Sequence, residues 1–189
     1  MFGFGQLIGI LKKNPKKIVF TEGEDPRILE ASSRLLASYF LHPILIGDEK
    51  RIADAAEESG FNIRGAEIID PEKFDKIDEM VELYCELRKK KGVTPDQARE
   101  ILKQANYFGT MLVKMGFADA LLGGATYSTA DTVRPALQLI KTKPGNNLVS
   151  SCFILVRPSA TGDNEVLAMG DCAININPTE DDLVEIAGE

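Results

Sequence analysis

Short apolar runs alternate with amphipathic stretches along most of the chain. Residues 17–20, 44–46, 67–69 and 118–122 are brief and rich in aliphatic side chains, the pattern of strands buried in a sheet. Between them apolar residues recur at helical spacing. Asp25-Pro26 opens the first such stretch, a capping carboxylate followed by proline at the first helical position. Ile28, Ala31, Leu35 and Tyr39 then form a stripe to lie on the sheet. Residues 48–59 predict a second helix. Asp70-Pro71 predicts the start of a third, running to about residue 91. Thr94-Pro95 predicts a fourth that continues to about residue 115 through Gly109, where a missing side chain allows close packing. Residues 2–11 read as a short amphipathic helix. Strand–helix alternation of this kind indicates an α/β fold with a parallel sheet and helices on both faces.

The pattern changes after residue 140. Lys141-Thr-Lys-Pro-Gly-Asn-Asn147 is rich in turn formers and marks the best boundary, dividing the chain into domains 1–145 and 146–189. Beyond it, residues 151–156, 165–169 and 173–176 read as three strands, with residues 159–164 as a hairpin-like loop. Pro178 opens a last helix reaching residue 187. Residues 151–156 are apolar at successive positions, so both faces of that strand need cover. Three strands and a short helix do not supply it. Apolar surface should remain exposed and favour self-association, with a homodimer as the expected assembly.

Composition narrows the chemistry. The chain has 189 residues, 44% apolar, and a formal net charge of −7. That charge argues against a nucleic-acid or anionic-membrane partner. No apolar run is long enough to span a bilayer. Cys85, Cys152 and Cys172 lack metal-binding spacing, and an odd count without C-x-x-C suits a reducing cytoplasm. No metal is implied. His42 is the one histidine, and nothing beside it supports a Ser-His-Asp or Cys-His mechanism. Gly3-Phe4-Gly5 with Gly9 imitates part of a dinucleotide fingerprint, but no strand precedes it.

The stretch from Gly123 to Gln138 carries the most specific chemistry. Two glycines after an apolar strand permit a sharp turn close to a ligand. Ser128-x-x-Asp131 has the form of a helix-start signal. Pro135 kinks the helix or sets its true start, and Val133, Leu137 and Ile140 would share its apolar face. Amides between Thr129 and Val133, the positive end of the helix and the Arg134 guanidinium then converge on an anion site, most naturally for phosphate. Spacing alone does not separate this from an ordinary capped helix. Two further positions matter. Arg88 shares a stripe with Phe74, Ile77, Val81, Tyr84 and Cys85, which points it toward protein or a cleft, as an ion-pair partner or a ligand contact. Glu22 and Glu24 are either a carboxylate pair for acid–base work or, more simply, solvated groups favouring a helix dipole.

Thr129-Ala-Asp-Thr-Val-Arg-Pro-Ala-Leu-Gln138 resembles the signature of the phosphate acetyl/butyryl transferases. Phe20-Thr-Glu-Gly-Glu-Asp-Pro-Arg-Ile-Leu-Glu-Ala31, Asn106-Tyr-Phe-Gly-Thr-Met-Leu-Val-Lys-Met-Gly116 with Ala118-Asp119, and Asp171-Cys-Ala-Ile-Asn-Ile176 resemble other blocks of that family in the same order. Departures are Gly123 and Tyr127, where many relatives carry Ser and His, and the length. The resemblance implies a three-layer αβα fold, doubly wound, mostly parallel and isocitrate/isopropylmalate-dehydrogenase-like, with the start of a second α/β domain. It implies reversible acetyl transfer between coenzyme A and phosphate, with acetyl-CoA, coenzyme A, phosphate and acetyl phosphate as partners and no tightly held cofactor. It assigns Arg134 to the reacting phosphate as a catalytic residue, with Ser128, Thr129 and Thr132 in support. Arg88 matches an arginine of the family's active site. By resemblance, the base for the thiol and a Ser–Arg pair belong outside this sequence, so the chain alone should not turn over. Butyryl transfer, a non-catalytic binding or assembly module, and a truncated product stay open as alternatives.

Overall fold

The computed structural model describes residues 4–158 and 164–188. The chain divides into two compact units, one spanning Gly9–Ile140 and the other containing the chain after Ile140 with the first turn of the opening helix. That helix, α1, spans Phe4–Lys13.

Gly9–Ile140 is built on four parallel strands, β1 (Lys16–Phe20), β2 (Leu41–Ile46), β3 (Glu67–Ile69) and β4 (Ala120–Leu122), in the order β3-β2-β1-β4. Alternation along β1 and β2 separates two cores. Val19, Ile44 and Ile46 face Tyr84, Leu102, Phe108, Met111 and Leu112 on one side. Phe20 and Leu45 face Ile28, Leu29, Ile52 and Ala56 on the other. Helices α2 (Pro26–Ser38) and α3 (Glu49–Ser59) therefore cover one face. The other is covered by α4 (Ile77–Leu87), α5 (Pro95–Leu102) and α6 (Ala105–Lys114). This is the three-layer α/β arrangement, with a parallel sheet flanked by helices.

Local signals set most helix starts. Asp25 accepts from the Arg27 amide ahead of Pro26, and Asp48 caps α3 through Arg51 N. Thr94 and Gln97 form a reciprocal capping box at α5. Gly109 of α6 allows the close approach its lack of side chain suggested, since a Cβ there would lie 3.0 Å from both Val19 Cγ1 and Leu121 Cδ1.

Several expectations need correction. Residues 71–76 form turns rather than the first turns of α4. The Asp70 carboxylate accepts from Glu72 N in a local turn, and Phe74 is held in edge-to-face contact with Phe108 and Phe117. The helix expected at 95–115 is two helices, broken at Lys103 and Gln104. Tyr39 does not extend the α2 stripe: it adopts a left-handed conformation that ends the helix and is 82% exposed. β2 begins earlier than expected and includes Pro43, which is tolerated because β3 pairs only from Ile44 onward.

In the other unit, β5 (Cys152–Pro158) pairs antiparallel with β6 (Asn164–Gly170). The expected loop between them falls on residues 159–163, outside the described residues. Residues 173–176 form no strand, because Asp171, at φ 39°, turns the chain and its carboxylate accepts from Ile174 N and Asn175 N. The last helix, α8 (Glu180–Gly188), starts after Thr179, which shares a reciprocal cap with Asp182. Phe153, Ile154 and Leu155 are each about half exposed, as are Leu167 and Met169.

Candidate active site

The order β3-β2-β1-β4 reverses direction between β1 and β4. In open parallel sheets ligands bind outside the carboxyl ends of strands at such a switch. The loops leaving β1 and β4 meet there, and the β4 loop runs directly into the signature helix.

That helix, α7, spans Thr129–Pro135 with Ser128 as its cap. Ser128 Oγ accepts from Asp131 N and donates to Asp131 Oδ2 at 2.6 Å. The Asp131 carboxyl is lowered chiefly by that hydroxyl and further by Arg134. Asp131 N and Thr132 N are satisfied by Ser128, so the open amides at the helix mouth reduce to Thr129 and Ala130. The Thr132 hydroxyl reaches back to Ser128 O at 3.4 Å. Arg134 is 58% exposed and only loosely paired, 3.9 Å from Asp131. Its guanidinium is thus exposed and free to meet an anion.

Pro135 neither starts nor sharply breaks the helix. It removes one amide, and a π-helical turn (Ala136–Ile140) follows. The wider turn rotates the later side chains, so Leu139 is buried while Leu137 and Ile140 stay substantially exposed, contrary to the regular helical face expected. The carbonyl of Asp131, which an amide at position 135 would have satisfied, instead accepts from Asn106 Nδ2 at 2.8 Å. Asn106 lies at the start of α6, so α6 holds α7 through the bond proline cannot make.

Arg88 ends α4 as its C-terminal cap residue. Among the described residues it forms no ion pair, and its Nε is buried without a partner. Its guanidinium lies beside Tyr84. Burial pushes the Tyr84 phenol up, with Tyr107 adding to this and Arg88 opposing it. The Tyr84 and Tyr107 rings meet edge to face at 6.4 Å, and the Tyr107 hydroxyl donates to Gln138, the last residue of the signature. Thr129, Thr132 and Arg134 therefore stand together on α7 with Ser128 as its cap, whereas Arg88 connects through two aromatic rings only as far as Gln138.

Glu22 proves more important than a solvated carboxylate. It is 8% exposed and accepts from the amides of Gly124, Ala125, Thr126 and Tyr127 and from the Thr126 hydroxyl. Burial pushes its carboxyl up, but these hydrogen bonds, led by Thr126, outweigh it and hold the group below the ordinary value. Arg27 grips the same turn from its other side, donating to Ala125 O at 2.7 Å while pairing with Asp25. Glu24 pairs with Arg51. Glu22, Glu24, Asp25, Gly47, Thr126 and Tyr127 border an open cleft of about 440 Å³. Tyr127 stays protonated at neutral pH, since burial and the charges of Glu22 and Asp131 raise its phenol. Sequence reasoning gave no role to Arg27, Asn106 or Tyr127. The available signal was position: Arg27 and Asn106 lie within the resembling blocks, Arg27 follows a strand at its carboxyl end, and Tyr127 stands just before the signature at a position where many relatives carry His. His42 stands at the opposite, amino-terminal end of β2.

Residues 4–189 match the profile of the phosphate acetyl/butaryl transferases. The phosphate acetyltransferase of Bacillus subtilis (strain 168) is 49% identical over 173 residues, 92% of this chain and 52% of that protein. That of Thermoanaerobacterium thermosaccharolyticum is 45% identical over 177 residues, covering 93% and 53%. Among solved structures, the EutD phosphotransacetylase from Staphylococcus aureus superposes with a TM-score of 0.86 at 41% identity, covering 99% of this chain and 56% of its own. A phosphotransacetylase from Streptococcus pyogenes gives 0.86 at 42%, covering 98% and 56%. The chain spans about half the length of the curated relatives it matches. Its ordered likeness from first strand to last helix shows that the chain belongs to the phosphate acetyl/butaryl transferase family.

Proposed function

We propose that this chain carries the phosphate-binding part of a site for reversible acetyl transfer between coenzyme A and phosphate. The observation that carries the reading is α7, a seven-residue helix that carries two open amides at its capped start and the loosely paired Arg134. In the forward direction the coenzyme A thiolate attacks the carbonyl of acetyl phosphate and the C–S bond forms. The carbon–oxygen bond to phosphate then breaks and phosphate leaves with the electron pair. Arg134 and the Thr129 and Ala130 amides stabilise the charge gathering on that phosphate, with Ser128 and Thr132 fixing the helix start. Arg88 takes a substrate anion. The base for the thiol is assigned to the half of the relatives' length that this chain does not span. Coenzyme A is a substrate and no further cofactor takes part. The half-exposed apolar faces of β5 and β6 suit a homodimer.

Titration calorimetry with inorganic phosphate and with coenzyme A tests the reading. Wild-type chain should bind both and Arg134→Ala should bind phosphate at least about tenfold more weakly, the scale of one charge-assisted contact. Equal phosphate affinity in Arg134→Ala would remove Arg134 from the site. Turnover of acetyl phosphate and coenzyme A by residues 1–189 at about 1–10³ per second would show that the base is already here.

A further inference from the structure

The turn after β4 contains a complete anion nest, and the protein fills it itself. Four consecutive amides and one hydroxyl close on the Glu22 carboxylate, from Gly124 N at 3.0 Å to Tyr127 N at 3.2 Å. Such a ring of donors is the kind of cradle that binds a free phosphate or carboxylate. The donor and acceptor are about a hundred residues apart in sequence, so this is a tertiary bond and not a local turn. Ala125 packs against the core below. The other holds on the turn are polar: Glu22 on its amides and Arg27 on the Ala125 carbonyl. Gly123 adds a close approach, since a Cβ there would lie 2.8 Å from Thr21 Oγ1.

We infer that Glu22 is a positioning residue for the phosphate site, acting as a built-in anion around which residues 124–127 fold. The inference rests on the reading of α7 as that site. Ser128 and Thr129 follow the nest without an intervening residue, so the nest sets the position and direction of the α7 mouth. Occupation by Glu22 also denies the nest to inorganic phosphate and leaves the α7 mouth as the place where phosphate meets Arg134. Glu22 touches no substrate in this arrangement.

The test uses the chain 1–189 with Glu22→Ala and Glu22→Gln, the second keeping the side chain's shape without its charge. Inorganic-phosphate affinity is measured by calorimetry with and without sodium formate, against sodium chloride at equal ionic strength. Both variants should bind phosphate at the α7 site, read as the binding that a further Arg134→Ala change abolishes, about ten- to a hundredfold more weakly, the scale of an ångström-sized misplacement; phosphate entering the emptied nest does not depend on Arg134. Formate, entering the vacated nest of Glu22→Ala, should restore phosphate affinity there and leave wild type unchanged. Folded variants with wild-type phosphate affinity would overturn the inference. So would weakened binding that formate does not restore, which marks a merely structural carboxylate. A Glu22→Ala chain that folds only with formate and then binds phosphate supports it. If wild type itself binds no phosphate, the reading of the α7 site falls. In that case formate-dependent NMR shifts confined to the amides of residues 124–127 in Glu22→Ala decide whether Glu22 is the nest's anion, and their absence overturns it.

Discussion

Asn106→Ala should destabilise the sheet unit, and the cost should depend on whether residue 135 is proline. Proline leaves the Asp131 carbonyl without its intrahelical donor, and Asn106 Nδ2 supplies the replacement at 2.8 Å. Truncation removes that hydrogen bond, worth about 1 kcal/mol net, and leaves a part-buried carbonyl with a penalty near the lower end of about 1–3 kcal/mol. The single variant should therefore lose about 2 kcal/mol. In a Pro135→Ala background the new amide can bond Asp131 O across one α-helical turn. Asn106→Ala should then cost about 1 kcal/mol, giving a coupling of about 1 kcal/mol in the double-mutant cycle. Pro135→Ala alone gains the bond but empties part of a buried site, so its own sign is left to the measurement. Urea unfolding followed by tyrosine fluorescence reads this unit selectively. All four tyrosines lie within Gly9–Ile140 and the chain has no tryptophan. With a slope of about 2 kcal/mol/M, the single variant should move the midpoint by about 1 M. Costs that add within about 0.3 kcal/mol across the cycle would refute the exchange of donors.

Three further outcomes follow from the geometry. Gly23→Ala places a Cβ 2.7 Å from Ile46 O, a backbone atom that cannot swing aside, and should cost about 1–3 kcal/mol in the same urea assay. Arg88→Lys should lower affinity for coenzyme A or phosphate in calorimetry, because an ammonium does not reproduce a planar guanidinium set against Tyr84; full affinity would return Arg88 to a structural role. Glu22 has its folded pKa below its unfolded value of about 4.3, so its contribution to stability is present above that pH and disappears as pH falls through the folded value. Wild type should therefore lose stability on acidification more steeply than Glu22→Gln, and parallel pH profiles would contradict this.

What the sequence determined by itself was local. The short apolar runs at residues 17–20 and 44–46 marked buried strands, and Asp25, Asp48, Thr94 and Ser128 placed helix starts because each caps an amide two or three residues away. The family was legible for the same reason, in unbroken blocks read in order. Arg134 and its neighbours were legible because they share one short helix. The tertiary structure decided which distant polar groups met. Glu22 looked like a solvated side chain because its donors lie about a hundred residues later. Pro135 announced a missing bond but not that Asn106 would replace it, nor that the helix would widen and bury Leu139 in place of Leu137. The turns at residues 71–76 likewise go with the packing of Phe74 between Phe108 and Phe117, residues more than thirty positions away. A buried polar group must find a partner, and which partner it finds is fixed only when the sheet brings the ends of β1 and β4 side by side.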